Sequence, residues 1–105
     1  MMTPEQIADF QRDGAVVVRG VFKDWVDTLA EGVAQNMADP GEYASENEVS
    51  QGRFFDDYCN WTRIPAFEKV VRESPAAALA AQAMQSQTAQ FFHDHVLVKE
   101  PSTPK

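Results

Sequence analysis

The stretch FFHDHVLVKEP, residues 91–101, decides what kind of sheet this chain can form. It lies in a run over residues 88–99 whose alternating side chains predict a strand. Pro101 ends the strand, because proline has no backbone N–H to give to a sheet. Adjacent strand residues point to opposite sides, which separates two faces: Phe91, His93, His95, Leu97 and Lys99 on one, and Phe92, Asp94, Val96 and Val98 on the other.

A helix and another strand are predicted at the start of the chain. Thr3 and Gln6 stand three residues apart with Pro4 after the first, which is typical of a capped helix start. Gly14 supplies the stop, since glycine readily takes the left-handed conformation that ends helices. Residues 15–19, AVVVR, are β-branched and lie between two glycines, so we expect a short strand buried on both faces.

The next part of the chain combines a helix with an acidic loop. Asp24 is expected to cap a helix that ends at residues 39–41, with an apolar stripe of Val26, Leu29, Ala30, Val33 and Met37. Residues 39–53 lack a hydrophobic period and predict a long surface loop. A Ca²⁺ loop needs a closer spacing of oxygen ligands, so the loop carboxylates fit solvated side chains better than a metal site; they are Glu42, Glu46 and Glu48.

An aromatic segment and two more helices follow. Residues 54–61 are dense in aromatic side chains and are expected to be extended, and a helix begins at Pro65. The Ser-Pro pair at residues 74–75 ends that helix and starts an alanine-rich one that runs to about Ser86. Helices with a few strands indicate an α+β chain, and its length suffices for a single domain over residues 1–105.

Composition excludes several classes of protein. Nine Lys and Arg against sixteen Asp and Glu give a net charge of −7, which repels phosphate backbones and anionic lipids, so neither a nucleic acid nor a membrane is expected as a partner. The chain has one cysteine, Cys59, and it starts without a signal-peptide pattern. We therefore expect a cytoplasmic protein in which Cys59 is a buried structural residue and not a nucleophile.

The HDH cluster at residues 93–95 is the most tempting metal site, because imidazole and carboxylate suit transition metals. On a strand, however, its two histidines share a face and Asp94 points away. The His-x-Asp or His-x-Glu half of an iron triad occurs nowhere in the chain. We therefore predict neither a metal ligand nor a catalytic residue here. Asp56 and Asp57 also face opposite ways, so hydrogen-bonding and solvent roles are expected for them.

Lys99 ends the 88–99 strand on the histidine face. If that face lines a cavity, its ammonium is a point charge that can hold a small carboxylate while its stem packs along apolar neighbours. A strand-end lysine that simply reaches solvent is the alternative, and composition alone favours it.

The strongest signal comes from three stretches taken together: TPEQIADFQRDGAVVVRGVF (residues 3–22), GRFFDDYCNWTRIPAFEKVVRESPAAALAAQAM (residues 52–84) and FFHDHVLVKEP (residues 91–101). In order and character they resemble the N-terminal part of the phytanoyl-CoA dioxygenase family of Fe(II)- and 2-oxoglutarate-dependent oxygenases. The resemblance covers nearly the whole chain. Its most specific piece is the strand that ends in VKEP.

This resemblance implies an incomplete portion of a double-stranded β-helix, the cupin-like jelly roll of about eight strands, supported by N-terminal helices. In similar proteins the lysine of the VKEP strand pairs with a carboxylate of 2-oxoglutarate, which favours cofactor binding for Lys99. His95 then faces a small-molecule substrate four residues earlier. Fe(II) and 2-oxoglutarate are the cofactors implied for the intact protein, whose reaction is hydroxylation of a small organic substrate.

The departures from the family pattern concern the metal. Similar proteins continue to a His-x-Asp motif, a second histidine and an arginine, and none of these follows Pro101. We therefore expect an N-terminal fragment that is inactive alone, holds no cofactor tightly and forms a homo-oligomer through unpaired strand edges and apolar faces. The alternative is a non-catalytic α+β oligomeric interaction module. The coding DNA after codon 105 distinguishes the two, since a His-x-Asp segment there supports the oxygenase.

Overall fold

The computed structural model describes residues 1–47 and 52–103. Within them the chain forms four α-helices and one antiparallel sheet of three strands, which confirms the predicted α+β class. The helices are α1 (Pro4–Asp13), α2 (Val26–Ala38), α3 (Pro65–Glu73) and α4 (Ala76–Met84), and the strands are β1 (Ser45–Glu46), β2 (Phe54–Tyr58) and β3 (His95–Lys99). No helix in the described ranges is long and apolar enough to cross a membrane.

The sheet has the order β1-β2-β3, with β2 in the centre. In the register of β2 and β3, Phe54 lies opposite Lys99 and Tyr58 lies opposite His95. The side chains of Phe55 and Asp57 are buried on one side of β2. On β3 the exposure alternates from residue to residue, which confirms the predicted two-face pattern for His95–Lys99.

The helix starts and stops follow their local sequence signals at several places. Thr3 caps α1 in a reciprocal capping box with Gln6, and Gly14 ends the helix in the left-handed conformation, as predicted. Proline stands in the first turn of α3, and the predicted break at residues 74–75 separates α3 from α4. Each of these signals involves residues close together in sequence, so it does not depend on contacts with distant parts of the chain.

The predicted cap of α2 is wrong, and its predicted apolar stripe is buried only in part. Asp24 lies inside a 3₁₀ turn, Lys23–Trp25, and the position before α2 makes no side-chain capping bond. Of that stripe, Val26 and Ala30 are exposed and the other three residues are half-buried, and the fully buried residues of α2 are Gly32 and Asn36. The buried side of α2 includes Gly32 because α2 lies against α3 at this residue. An added Cβ at Gly32 would lie 2.5 Å from Cε1 of Phe67.

One predicted strand is not formed, and another is shorter than predicted. Residues 15–19 form no strand, and Val17 is 69% exposed, because no strand among the described residues lies beside that segment. Residues 88–94 lie outside the ladder, so the predicted 88–99 strand starts only at His95. Its partner β2 ends at Tyr58, since Cys59 turns the chain away with a positive φ of 65°.

The acidic loop is partly ordered into the sheet. Within residues 39–53, Ser45 pairs with Asp56 and Glu46 pairs with Phe55 to form the short β1. Glu42 and Glu46 are exposed, as expected for a surface loop, and Glu48 lies outside the described residues.

Candidate functional site

One side of the sheet carries the two residues that the sequence singled out for binding. We call it the open face and define it by the alternating side chains of the three strands: Ser45, Phe54, Asp56, Tyr58, His95, Leu97 and Lys99. Lys99 and His95 are both exposed on it. They are four residues apart, so about 13 Å of strand separates them. The predicted common face is therefore present.

Lys99 stands at one end of the open face, opposite Phe54. Its Nζ donates a hydrogen bond to the backbone oxygen of Thr103 at 3.4 Å. An ammonium has three donors, and this long bond uses one of them. The positive charge of Lys99 is therefore placed where it can contact an anion on the open face.

His95 stands at the other end among aromatic rings. Its ring centroid lies 5.4 Å from that of Tyr58 and 6.4 Å from that of His93. Tyr58 in turn stacks on Tyr43 at 4.8 Å. Nε2 of His95 lies 3.9 Å from Oδ1 of Asp56, which makes an ion pair only when the imidazole is protonated. This end offers flat apolar surfaces with polar edges to a bound molecule.

A buried carboxylate on the other side of β2 fixes the position of the sheet. Asp57 is fully buried, and its carboxylate accepts hydrogen bonds from Nδ2 of Asn36 at 2.9 Å and from the backbone N–H groups of Gly41 at 2.7 Å and Tyr58 at 2.8 Å. Burial acts to raise the pKa of Asp57, but the hydrogen bonds from Gly41, Asn36 and Tyr58 together outweigh it and lower that pKa. Asp57 is therefore held ionised, and it ties α2 and the loop after it to β2.

Gly41 is needed at this contact for a steric reason. A Cβ at that position would collide with Oδ1 of Asn60 and would lie 3.2 Å from Oδ2 of Asp57. Asn60 accepts hydrogen bonds from Arg63, whose Nη2 also donates to the backbone oxygen of Asp39 at 2.9 Å. Sequence reasoning assigned the turn at residues 39–41 only as a helix stop and missed this polar cluster. The Asp-Asp pair inside an aromatic strand was the available signal.

Asp94 also has a structural task. Its carboxylate accepts hydrogen bonds from the backbone N–H of Asn60 at 3.0 Å and of Trp61 at 3.0 Å. It therefore holds the turn between β2 and α3. In residues 1–47 and 52–103, no group of three or more His, Cys, Asp or Glu side chains could hold a metal ion, so these residues do not fit an iron centre.

Cys59 differs from its prediction. It is exposed, where a buried structural cysteine was expected. The physical reason is its left-handed backbone at the end of β2, which takes the residue out of the sheet before its side chain can reach the core.

The family of the chain follows from a family model. The model for phytanoyl-CoA dioxygenase (PhyH) matches residues 10–105, which is most of the chain. The chain therefore belongs to the phytanoyl-CoA dioxygenase family, a family of the Fe(II)/2-oxoglutarate-dependent oxygenase kind. Neither a curated protein nor a solved structure matches it.

Proposed function

We propose that this chain is the N-terminal portion of an Fe(II)/2-oxoglutarate-dependent oxygenase that hydroxylates a small organic substrate. In this proposal the open face is the inner side of a jelly-roll sheet, Lys99 binds a carboxylate of 2-oxoglutarate, and His95 faces the substrate. The observation that carries it is the placement of Lys99 and His95 on one exposed sheet face in a chain of this family.

The role of Lys99 rests on charge. The chain carries a net charge of −7, so a dicarboxylate approaching it meets repulsion unless a cation lies at the binding position. Lys99 supplies such a cation at the end of β3, and its long stem can cover the ring of Phe54 opposite it. An ammonium–carboxylate hydrogen bond is about twice as strong as a neutral one.

The role of His95 rests on its neighbours. The stacked rings of Tyr58 and Tyr43 give this end of the open face an apolar floor, and Asp56 lies beside the imidazole. A substrate placed there would contact ring faces for affinity and the imidazole N–H for orientation. In this proposal, 2-oxoglutarate binds at the Lys99 end of β3 and the substrate binds at the His95 end.

The metal ligands are not supplied by the described residues. Asp94 is used by the turn at Asn60 and Trp61, and no group of three or more His, Cys, Asp or Glu side chains in residues 1–47 and 52–103 could hold a metal ion. The proposal therefore assigns the iron ligands and the remaining jelly-roll strands to further sequence of a longer, cytoplasmic protein. Residues 1–105 alone are then inactive.

The test determines which backbone amides of the chain respond to 2-oxoglutarate. The backbone amide signals of the ¹⁵N-labelled protein are recorded by NMR during titration with 2-oxoglutarate, and separately with its uncharged dimethyl ester. We expect 2-oxoglutarate to shift the amides of residues 97–100, of residues 102–103 and of Phe54, and the diester to leave them unchanged. Equal shifts with both compounds, or a footprint confined to other elements, would contradict the proposal.

A further inference from the structure

The carboxylate of Asp56 stands on the central strand of the sheet, opposite Ser45 of β1 and Leu97 of β3. Within residues 1–47 and 52–103 it accepts no hydrogen bond, and Nε2 of His95 at 3.9 Å is the one basic group near enough for an ion pair. The Asp56 side chain is 27% exposed, so water and salt screen its charge incompletely. A neutral imidazole supplies no counter-charge, and the open face then carries an uncompensated carboxylate near its centre.

Aromatic rings lie beside this carboxylate at the His95 end of the open face. Tyr58 follows Asp56 by two residues on the same face and lies opposite His95. The ring centroid of Tyr58 is 4.8 Å from that of Tyr43 and 5.4 Å from that of His95. His93 adds a fourth ring, 6.1 Å from that of Tyr58. Three segments of the chain therefore bring four rings and one carboxylate together.

Rings and a carboxylate are the groups that recognise an organic ammonium ion. The face of an aromatic ring carries partial negative charge and attracts a cation that lies within about 6 Å of its centroid. A carboxylate adds a full negative charge, and both attractions become stronger where water is excluded. The methyl or methylene groups beside the ammonium pack against the rings. A cluster of this composition therefore favours a positively charged small molecule over a neutral or anionic one.

We propose that the substrate carries an ammonium group, which binds at the His95 end of the open face beside Asp56. Its alkyl groups contact the rings of Tyr58 and Tyr43. This assignment rests on the proposed function, which puts the substrate at that end of β3. A purely structural role accounts for rings that face each other across the strands, but it does not account for the charge of Asp56 among them.

The order of charges along the open face supports this assignment. Lys99 supplies a positive charge at one end, and Asp56 supplies a negative charge next to the aromatic end. An anion is therefore favoured at Lys99 and a cation at Asp56, and the same order disfavours 2-oxoglutarate bound in place of the substrate. The net charge of −7 acts in the same direction, because it attracts cations.

The cluster keeps its composition whatever sequence covers the sheet. Its side chains belong to β2, to residues 93–95 and to the segment just before β1, and they contact one another directly. Further strands of a longer protein would enclose these groups without replacing them. Enclosure would exclude water and strengthen the attraction for a cation, so we expect weaker binding to residues 1–105 than to the longer protein.

The first measurement is an NMR titration of the ¹⁵N-labelled chain with tetramethylammonium chloride at about pH 8, where an ordinary histidine is neutral. Tert-butanol, a neutral molecule of similar shape, and sodium chloride are titrated separately. We expect tetramethylammonium alone to give saturable shifts of the backbone amides of Asp56, Tyr58 and His95. The absence of saturable shifts, or equal shifts with tert-butanol or sodium chloride, would overturn the proposal.

Substitutions then test the two kinds of contact. Asp56→Asn keeps the size of the side chain and removes its charge, and we expect it to weaken tetramethylammonium binding about fivefold or more. Asp24→Asn makes the same change at an exposed position and should bind like wild type. Tyr58→Leu should weaken binding about threefold, whereas Tyr58→Phe keeps the ring and should not. Unchanged affinity in Asp56→Asn would contradict the proposal.

A titration of Asp56→Asn with 2-oxoglutarate separates this proposal from the proposed function. We expect 2-oxoglutarate still to shift the amides near Lys99 in this variant. If the wild-type chain binds 2-oxoglutarate there but does not bind tetramethylammonium, the substrate class is wrong and the role of Lys99 stands. If tetramethylammonium binds beside Asp56 and 2-oxoglutarate shifts no amide near Lys99, the ammonium site stands and the role of Lys99 is wrong.

Discussion

The side-chain amide of Asn36 donates a hydrogen bond to the buried carboxylate of Asp57 at 2.9 Å, and this bond joins α2 to the central strand of the sheet. Gly41 adds a second donor from the loop after α2. Asp57 faces the interior, so the neighbouring residues of β2 face the opposite side. The contact between Asn36 and Asp57 therefore fixes the orientation of β2, and with it the side of the sheet on which the open face lies.

Asp57→Asn should destabilise the fold. The new amide group would turn N–H donors toward the donors of Asn36 and Gly41, leaving at least one buried donor unsatisfied. We expect a loss of about 2–3 kcal/mol in the free energy of unfolding, measured by urea denaturation. Asp56→Asn is the matched control, because Asp56 is only half-buried on the open face and should change stability by less than about 0.5 kcal/mol. Equal effects of the two substitutions would contradict this role for Asp57.

The same carboxylate should make stability depend on acid pH. The native pKa of Asp57 lies below its ordinary value of 3.8, so the unfolded chain takes up a proton more readily than the folded one. The stabilisation is present above pH 3.8 and is lost as the pH falls through the lowered native pKa. The free-energy difference between wild type and Asp57→Asn should therefore be constant near neutral pH and shrink in acid. A difference that grows as the pH falls would contradict this sign.

Gly32→Ala should loosen the packing of α2 on α3. The added Cβ would lie 2.5 Å from Cε1 of Phe67, whose ring is buried and has little room to move. We expect a net destabilisation of about 1–3 kcal/mol, even though alanine is the better helix former. Glu31→Ala at the exposed neighbouring position serves as the control in thermal unfolding. A Gly32→Ala variant as stable as wild type would show that α2 and α3 can accommodate the added Cβ, which would contradict this close packing.

Asp94→Ala should open the turn between β2 and α3. It removes the acceptor of the backbone N–H groups of Asn60 and Trp61, and hydrogen exchange at these two amides should become faster. His93→Ala, one residue away and exposed, is the control and should leave this exchange unchanged. Unchanged exchange in Asp94→Ala would mean that the turn is held by other contacts.

Local signals in the sequence were sufficient for both ends of α1, for the break between α3 and α4, and for the alternation of β3. The Thr3 capping box, Gly14 and the Ser-Pro break each act within a few residues, so neighbouring sequence determines them. Residues 15–19 show the opposite case. Their β-branched composition indicates a strand, but a strand needs a partner distant in sequence, and the described residues provide none.

The sequence was sufficient to predict which side chains of the candidate site share one face of β3. It was not sufficient to predict the contacts that hold the sheet in place. Alternation alone placed His95 and Lys99 on one side of β3, because strand periodicity does not depend on the partner strand. The Asp57 cluster joins residues from α2, a loop and β2, and no local pattern reports such a meeting. Cys59 could not be placed either, since its exposure follows from a left-handed turn that its residue type does not favour.

The most direct test of the central claim is the affinity of the chain for 2-oxoglutarate with and without the Lys99 charge. Lys99→Met keeps the stem and removes the ammonium, and Lys69→Met makes the same change at an exposed position of α3. We predict that Lys99→Met weakens 2-oxoglutarate binding about tenfold or more in an NMR titration, while Lys69→Met binds like wild type. Equal affinities of the two variants would contradict the assignment of Lys99 as the cosubstrate anchor.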